Sequence, residues 1–346
     1  MNRRQLRERL AQSLVVGIPG PEAGAEELAL VAEFGLGGVI LFRRNLVSPR
    51  QVWELCHRLR RAAAEAGRPP LLVMVDQEGG SVVRLREPFT CAPDFCELGR
   101  QGREAVAAQG RRLGRELAAA GFNWNLAPVV DVHAIEGGVM ARRSLGSDPR
   151  RVGELAAAFI RAQQEAGCLA CAKHFPGLGR TTADTHRRRP RVELPRAELE
   201  AVELVPFRAA VEAGVAGVMV CHAVFTALDP ERPASLSRVV VEGLLRGELG
   251  YRGVVLSDDL EMGAVAREMS PARAAVEAYR AGCDLLLLCS RAELALEALE
   301  RLVELAAGGE IPPERVMATW SRLERLKGGL RALPGPWWEL ERLLRG

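Results

Sequence analysis

Short apolar runs recur along the chain, each ending on a polar residue and each followed by a stretch whose apolar positions have helical spacing. The runs are GGVILF (37–42), LLVMVD (71–76), NLAPVVDV (125–132), LACAKH (169–174), GVMVCH (217–222), GVVLSD (253–258) and CDLLLLC (283–289). Nearly continuous apolar character predicts parallel strands buried on both faces. Between them lie helix signals. Ser48 is an N-cap ahead of Pro49, and Val52, Leu55, Cys56 and Leu59 follow at helical spacing. In RAELEAVELVPFRAAVEAG, Pro206 predicts a kink and Gly214 an end.

Seven such strands, with an eighth either near the start in SLVVGI (13–18) or lost among the C-terminal helices, predict an α/β fold of the (β/α)8 TIM-barrel type. No Gly/Ser/Pro-rich linker divides the chain. One catalytic barrel domain is therefore expected over 1–346, with its core at about 10–290 and C-terminal helices at about 291–346. An open doubly wound sheet is the alternative, but no run is followed by the GxGxxG turn that such sheets use to hold phosphates. The pair Trp337 and Trp338 is read as a staple that packs the last helix onto the barrel.

Composition narrows the function classes. With 47 basic and 44 acidic residues the net charge is only +3, so no general attraction to nucleic acid or an anionic membrane is implied. The basic N-terminal segment is interrupted by Gly17 and Pro19 before an apolar signal core can form, and no apolar run approaches the roughly 20 residues of a membrane helix. A cytoplasmic protein is expected. The eight cysteines are scattered among apolar neighbours and read as buried thiols. Cys168 and Cys171 have knuckle spacing, but three residues apart on a strand they face opposite sides, which argues against a shared metal.

In a barrel of this kind chemistry collects at the C-terminal strand ends. The residues there are Asp76, Asp131, Lys173 with His174, His222, and Ser257 with Asp258. Asp131 and His222 are read as rim scaffolding. Asp259 is expected to point away from the axis and to cap the following helix. After Asp76, the paired glycines of QEGG allow close backbone approach to a ligand. The stretch KHFPGLGRTTADTHRRRP (173–190) makes a long glycine-hinged loop, in which Asp184 lies two residues from His186 and can orient and charge its ring, an acid/base unit on a lid.

Five ordered motifs, DQEGGSVVRL (76–85), NLAPVVDV (125–132), RRSLGSDP (142–149), KHFPGLGRTTADTH (173–186) and SDDLEM (257–262), resemble glycoside hydrolase family 3, in particular its bacterial single-domain β-N-acetylglucosaminidases of the peptidoglycan-recycling type. The resemblance implies a retaining exo-acting enzyme that removes terminal non-reducing GlcNAc from GlcNAc-anhydroMurNAc muropeptides, needing neither metal nor cofactor. It assigns Asp258 as nucleophile, His186 as acid/base and Asp184 as its partner. Asp76, Arg84, Arg143, Lys173 and His174 would bind the hydroxyls of the sugar. A small sugar or muropeptide is the implied partner, without nucleic acid or membrane, for a monomer or weak homodimer. Two positions depart from the family pattern: Leu178 stands where a second histidine is usual, and Leu145 where an aromatic residue is usual. Arg187, Arg188 and Arg189 form either a solvated loop edge or a site for the acid groups of a muropeptide. Alternatives are a β-N-acetylglucosaminide phosphorylase and a non-catalytic barrel that binds cell-wall fragments.

Overall fold

A computed structural model of the protein describes residues 1–135, 138, 140–181 and 190–345. Eight strands run parallel: β1 (Leu14–Gly17), β2 (Gly38–Leu41), β3 (Leu72–Val75), β4 (Trp124–Asn125), β5 (Cys171–Phe175), β6 (Gly217–Val220), β7 (Val254–Ser257) and β8 (Leu286–Leu288). The order β8-β1-β2-β3-β4 forms one ladder and β5-β6-β7 another. Parallel bridges from Trp124 to Leu169 and from Leu256 to Leu285 join the two, so the sheet closes on itself. The expected barrel is present, and SLVVGI supplies β1.

The run NLAPVVDV differs from expectation. Its regular strand is only two residues long; further on, Pro128 has no N–H to donate, and the chain meets β5 again at Val129, opposite Lys173.

Strand alternation divides the apolar residues into two cores. Val15, Ile40, Met74, Trp124, Cys171, Met219, Leu256 and Leu287 point into the barrel. Their neighbours Val16, Val39, Val73, Val75, Ala172, Val218 and Val255 face the surrounding helices. The helices follow their signals. Ser48 Oγ accepts from the Gln51 N–H (3.3 Å), and Val52, Leu55, Cys56 and Leu59 of the helix Pro49–Glu65 are buried. Pro206 lies in the first turn of the helix Leu204–Glu212, after a wider turn over Leu199–Glu203, and Gly214 ends the segment at φ +73°.

Beyond β8 the chain is helical, as expected, over Ala292–Ala307, Pro313–Gly328 and Trp337–Arg345. The second of these helices closes the N-terminal mouth of the barrel: Leu323 is buried in the inner core, with Leu326 and Leu330 packed against it. The tryptophan pair divides in its role. Trp337 packs edge-on against Trp53 (6.3 Å) beneath Arg50, whereas Trp338 is 56% exposed, because the helical turn carries it to the outer face. The staple is Trp337 together with buried Leu340.

Candidate active site

The loop after β3 is held by Gln77. Its side chain donates to the Leu85 carbonyl (2.9 Å) and accepts from the N–H groups of Arg84 (2.9 Å) and Leu85 (3.0 Å), which returns Arg84 towards Asp76. The glycines of this loop are required by contacts within the protein. A Cβ on Gly79 would lie 2.3 Å from the Pro93 carbonyl, and one on Gly80 1.7 Å from Asp94 Oδ1. They seat the loop against the 92–94 segment of the protein itself, and Gly80 also needs φ +55°.

Asp76 and Glu78 project from this loop onto cations delivered by β5 and by the turn that carries Arg143. Lys173 Nζ donates to Asp76 Oδ1 and lies the same distance, 2.7 Å, from Glu78 Oε1. Arg143 forms a fork on Glu78, Nε to Oε2 at 2.9 Å and Nη2 to Oε1 at 2.7 Å. Arg84 reaches Asp76 more loosely, at 3.8 Å. Burial works against charge on Glu78, but Arg143 and Lys173 outweigh it and hold the carboxyl far below the usual carboxylate range. Burial likewise opposes charge on Lys173, and Asp76 followed by Glu78 keeps its pKa above the ordinary lysine value.

Arg143 sits on a tight turn after β4 that Ser144 fixes by donating to the Asp131 carbonyl (2.7 Å). Asp131, fully buried, is scaffolding as anticipated. It takes the Leu178 N–H (2.7 Å), the His174 N–H (3.2 Å) and ring Nδ1 of His174 (2.8 Å), leaving Nε2 towards Arg143. His222 Nδ1 lies 2.7 Å from Ser235 Oγ, and its Nε2 donates to the Asp259 carbonyl (2.9 Å), again a supporting role.

Asp258 follows β7 and receives the Asp259 N–H (2.9 Å). Burial would raise its pKa, but His222, His174, that N–H and Lys173 together lower it below the ordinary value. Asp259 does not behave as expected. It neither points away nor caps a helix; it lines the same cavity and accepts from the N–H groups of Glu261 (3.1 Å) and Cys289 (3.3 Å). Strand alternation no longer applies there, since the ladder ends at Ser257 and the chain has entered a turn. Burial, with the charges of Asp258 and Glu261, pushes Asp259 up to about 6.

Asp76, Arg84, Arg143, Lys173, His174 and Asp258 all line one cavity of about 190 Å³ at the C-terminal mouth. Sites for drug-sized ligands take roughly 300–1,000 Å³, so the described walls suit a group the size of one sugar ring. Met140, Leu178 and Met262 form apolar parts of the wall. Leu178 thus borders the site, whereas Leu145 is buried in the outer core. The sequence reading missed Glu78, which looked like an ordinary loop acid. The available signal was its place two residues from Asp76, in the same motif. Asp184, His186 and Arg187 to Arg189 lie outside the described residues; the chain enters that segment from Thr181, on the cavity wall. Cys168 precedes the strand Cys171–Phe175 and is buried in the outer core, whereas Cys171 belongs to the inner one, and burial pushes both thiols up to about 12.

A closed parallel barrel with paired carboxylates and cations around a ring-sized cavity at its C-terminal mouth has the form of a barrel enzyme acting on a small polar substrate. Comparison with known proteins makes this specific. The model of the glycosyl hydrolase family 3 N-terminal domain matches residues 5–326, and the chain belongs to that family; it is a glycoside hydrolase. It is 38% identical over 342 residues to a β-hexosaminidase of Alkalilimnicola ehrlichii, covering 96% of this chain and 92% of the relative. Among solved structures, a family 3 β-N-acetylglucosaminidase from Paenibacillus sp. superposes with a TM-score of 0.91 at 38% identity, over 98% of this chain and 68% of the other. Native NagZ from Neisseria gonorrhoeae superposes at 0.79 with 31% identity, over 96% and 93%. The family that the five motifs resemble is the family to which the chain belongs.

Proposed function

We propose that the protein is a retaining exo-β-N-acetylglucosaminidase that releases terminal GlcNAc by way of a glycosyl-Asp258 intermediate. The observation that carries the reading is Asp258 itself: a carboxyl lining a largely buried cavity yet favoured in its ionised form, bordered by groups suited to sugar hydroxyls. The names of the hexosaminidase relatives support the choice of sugar. A retaining glycosidase needs a nucleophile below the anomeric carbon and a proton donor at the leaving oxygen.

In the first step an Asp258 oxygen bonds to the anomeric carbon as its bond to the leaving oxygen breaks. The bond pair goes to that oxygen, which takes a proton from imidazolium His186, oriented by Asp184. Water then enters, gives its proton to neutral His186 and bonds to the anomeric carbon, and the Asp258 carboxylate leaves. Asp76, Arg84, Arg143, Lys173 and His174 hold the sugar hydroxyls by charged hydrogen bonds. The motif resemblance points to GlcNAc-anhydroMurNAc muropeptides as substrate, in the cytoplasm, with the chain acting as one catalytic unit.

The test uses an aryl N-acetylglucosaminide, with and without phosphate, and mass spectrometry of protein treated with a slow fluorinated N-acetylglucosaminyl substrate. Hydrolysis independent of phosphate, a glycosyl adduct on the peptide containing Asp258, and loss of both in folded Asp258→Asn are expected. A sugar 1-phosphate product would replace hydrolysis by phosphorolysis, and sugar binding without any turnover would leave a binding protein. Wild-type turnover by Asp258→Asn would overturn the nucleophile assignment.

A further inference from the structure

We propose that Glu78 is a positioning residue of the reaction: its single carboxylate sets the geometry of Arg143 and Lys173, and through them the grip on the sugar. The inference rests on the sugar-binding reading of those two cations. Three observations carry it.

Glu78 joins three separate parts of the mouth. Its own segment follows β3, Arg143 comes from the turn after β4, and Lys173 from β5 itself. Both carboxylate oxygens are occupied. Oε2 takes Arg143 Nε, and Oε1 takes both Arg143 Nη2 and Lys173 Nζ. Two cations held on one oxygen would repel each other without the anion between them.

The anion has no substitute in the described surroundings. Asp76 shares Lys173 but no ion pair joins it to Arg143, for which Glu78 is the one carboxylate in salt-bridge distance among the described residues. Removing one partner from a buried, hydrogen-bonded charge set leaves the others uncompensated and free to move.

The carboxylate is also held from behind. The Glu78 N–H donates to the Val82 carbonyl (3.0 Å), and Gln77 ties down both ends of the same loop. With Glu78 itself 2% exposed, its head group has little freedom of its own. It can therefore dictate positions rather than follow them. In Glu78→Gln, one of the two oxygens that now face N–H donors becomes an NH2 group. Whichever oxygen is replaced, the fork to Arg143 opens, and if it is Oε1 the contact to Lys173 is lost as well.

Supporting partners of this kind typically change affinity or activity by roughly 10–100-fold when removed. For folded Glu78→Gln with the aryl N-acetylglucosaminide, a fall of that size in kcat/KM is expected, mostly as raised KM, since Asp258 keeps the Asp259 N–H and the larger influence of His222 and His174. Because Glu78 would act through Arg143, Glu78→Gln with Arg143→Gln is expected to cost no more than the larger single change. Wild-type KM in Glu78→Gln, or strictly additive losses in the double variant, would overturn the proposal. If Glu78→Gln does not fold, Glu78→Asp keeps the charge one methylene short of spanning both cations; raised KM with near-normal kcat is then expected, and unchanged KM would overturn it. Inactive wild-type protein would instead overturn the hydrolase reading. An active wild type, a silenced Asp258→Asn and an indifferent Glu78→Gln would overturn only the role of Glu78.

Discussion

Glu203 offers a pH-dependent test of how the loop beside the cavity is held. It is 1% exposed and sits below Gly177, where an added Cβ would lie 2.7 Å from its Oε2. Oε1 accepts from Arg180 Nε at 3.3 Å, while Oε2 has no hydrogen-bond partner among the described residues. Arg180 is shared with Glu198 at 2.7 Å. Burial first, and then the negative charge of Asp131, raise the Glu203 pKa from 4.5 to about 7 against the pull of Arg180.

The sign follows from proton linkage. The folded state binds the Glu203 proton more tightly than the unfolded chain does, so stability falls as pH rises from about 4.5 towards 7, and the whole penalty is present above that range. At about 1.4 kcal/mol per pH unit the penalty is roughly 3 kcal/mol. Glu203→Gln removes the titration and keeps an oxygen for Arg180. Unfolding free energies of both proteins, from urea titrations at pH 5 and pH 8, give the check. The variant is expected to gain on the wild type between those two pH values by about 2–3 kcal/mol. A difference between the two proteins that stays constant within about 0.5 kcal/mol from pH 5 to pH 8 would mean that Glu203 is ionised throughout and that the burial argument fails.

Two further outcomes test the frame around the site. Leu323→Ala removes the plug from the N-terminal mouth and should cost about 2–5 kcal/mol in chemical unfolding with KM unchanged, because the cavity lies at the other end; an unchanged midpoint would mean that the helix does not seal the barrel. Cys168 and Cys171, with thiols pushed up to about 12, should resist a thiol reagent at pH 8 in the native protein and react once it is unfolded. Fast native labelling of either would contradict their burial.

The barrel was legible because parallel strands covered on both faces must be apolar throughout, and each run ends where the chain leaves the sheet for the polar rim. Asp76, Lys173, His174 and Asp258 stood at such ends, and the structure places them around one cavity with Arg84 and Arg143. What escaped depended on contacts remote in sequence. Glu78 meets its partners 65 and 95 positions further on, and nothing local distinguishes it from a loop acid. Asp259 was misread because alternation was extended past the last paired residue. Leu323 lies on an amphipathic helix whose apolar stripe shows that it is covered, but not that it covers the barrel interior. Trp338 shared the staple reading with Trp337, although neighbours on a helix face about 100° apart.

The contrast between Asp258 and Asp259 shows what the barrel contributes to the chemistry. These neighbours line the same cavity, and a low-dielectric wall of Met219, Leu287 and Cys289 makes two adjacent negative charges costly. Their surroundings resolve the conflict in opposite directions. His222, His174 and Lys173 draw Asp258 below the ordinary aspartate value, while Asp259, opposed by burial and by the charge of Asp258, is pushed up to about 6. Of the two, Asp259 is the one whose protonated form is favoured. Divergent environments for two nearby carboxyl groups separate their roles. Here the division leaves the negative charge on Asp258, as the proposed nucleophilic role requires, and gives Asp259 the structural task of holding the Glu261 and Cys289 N–H groups beside it.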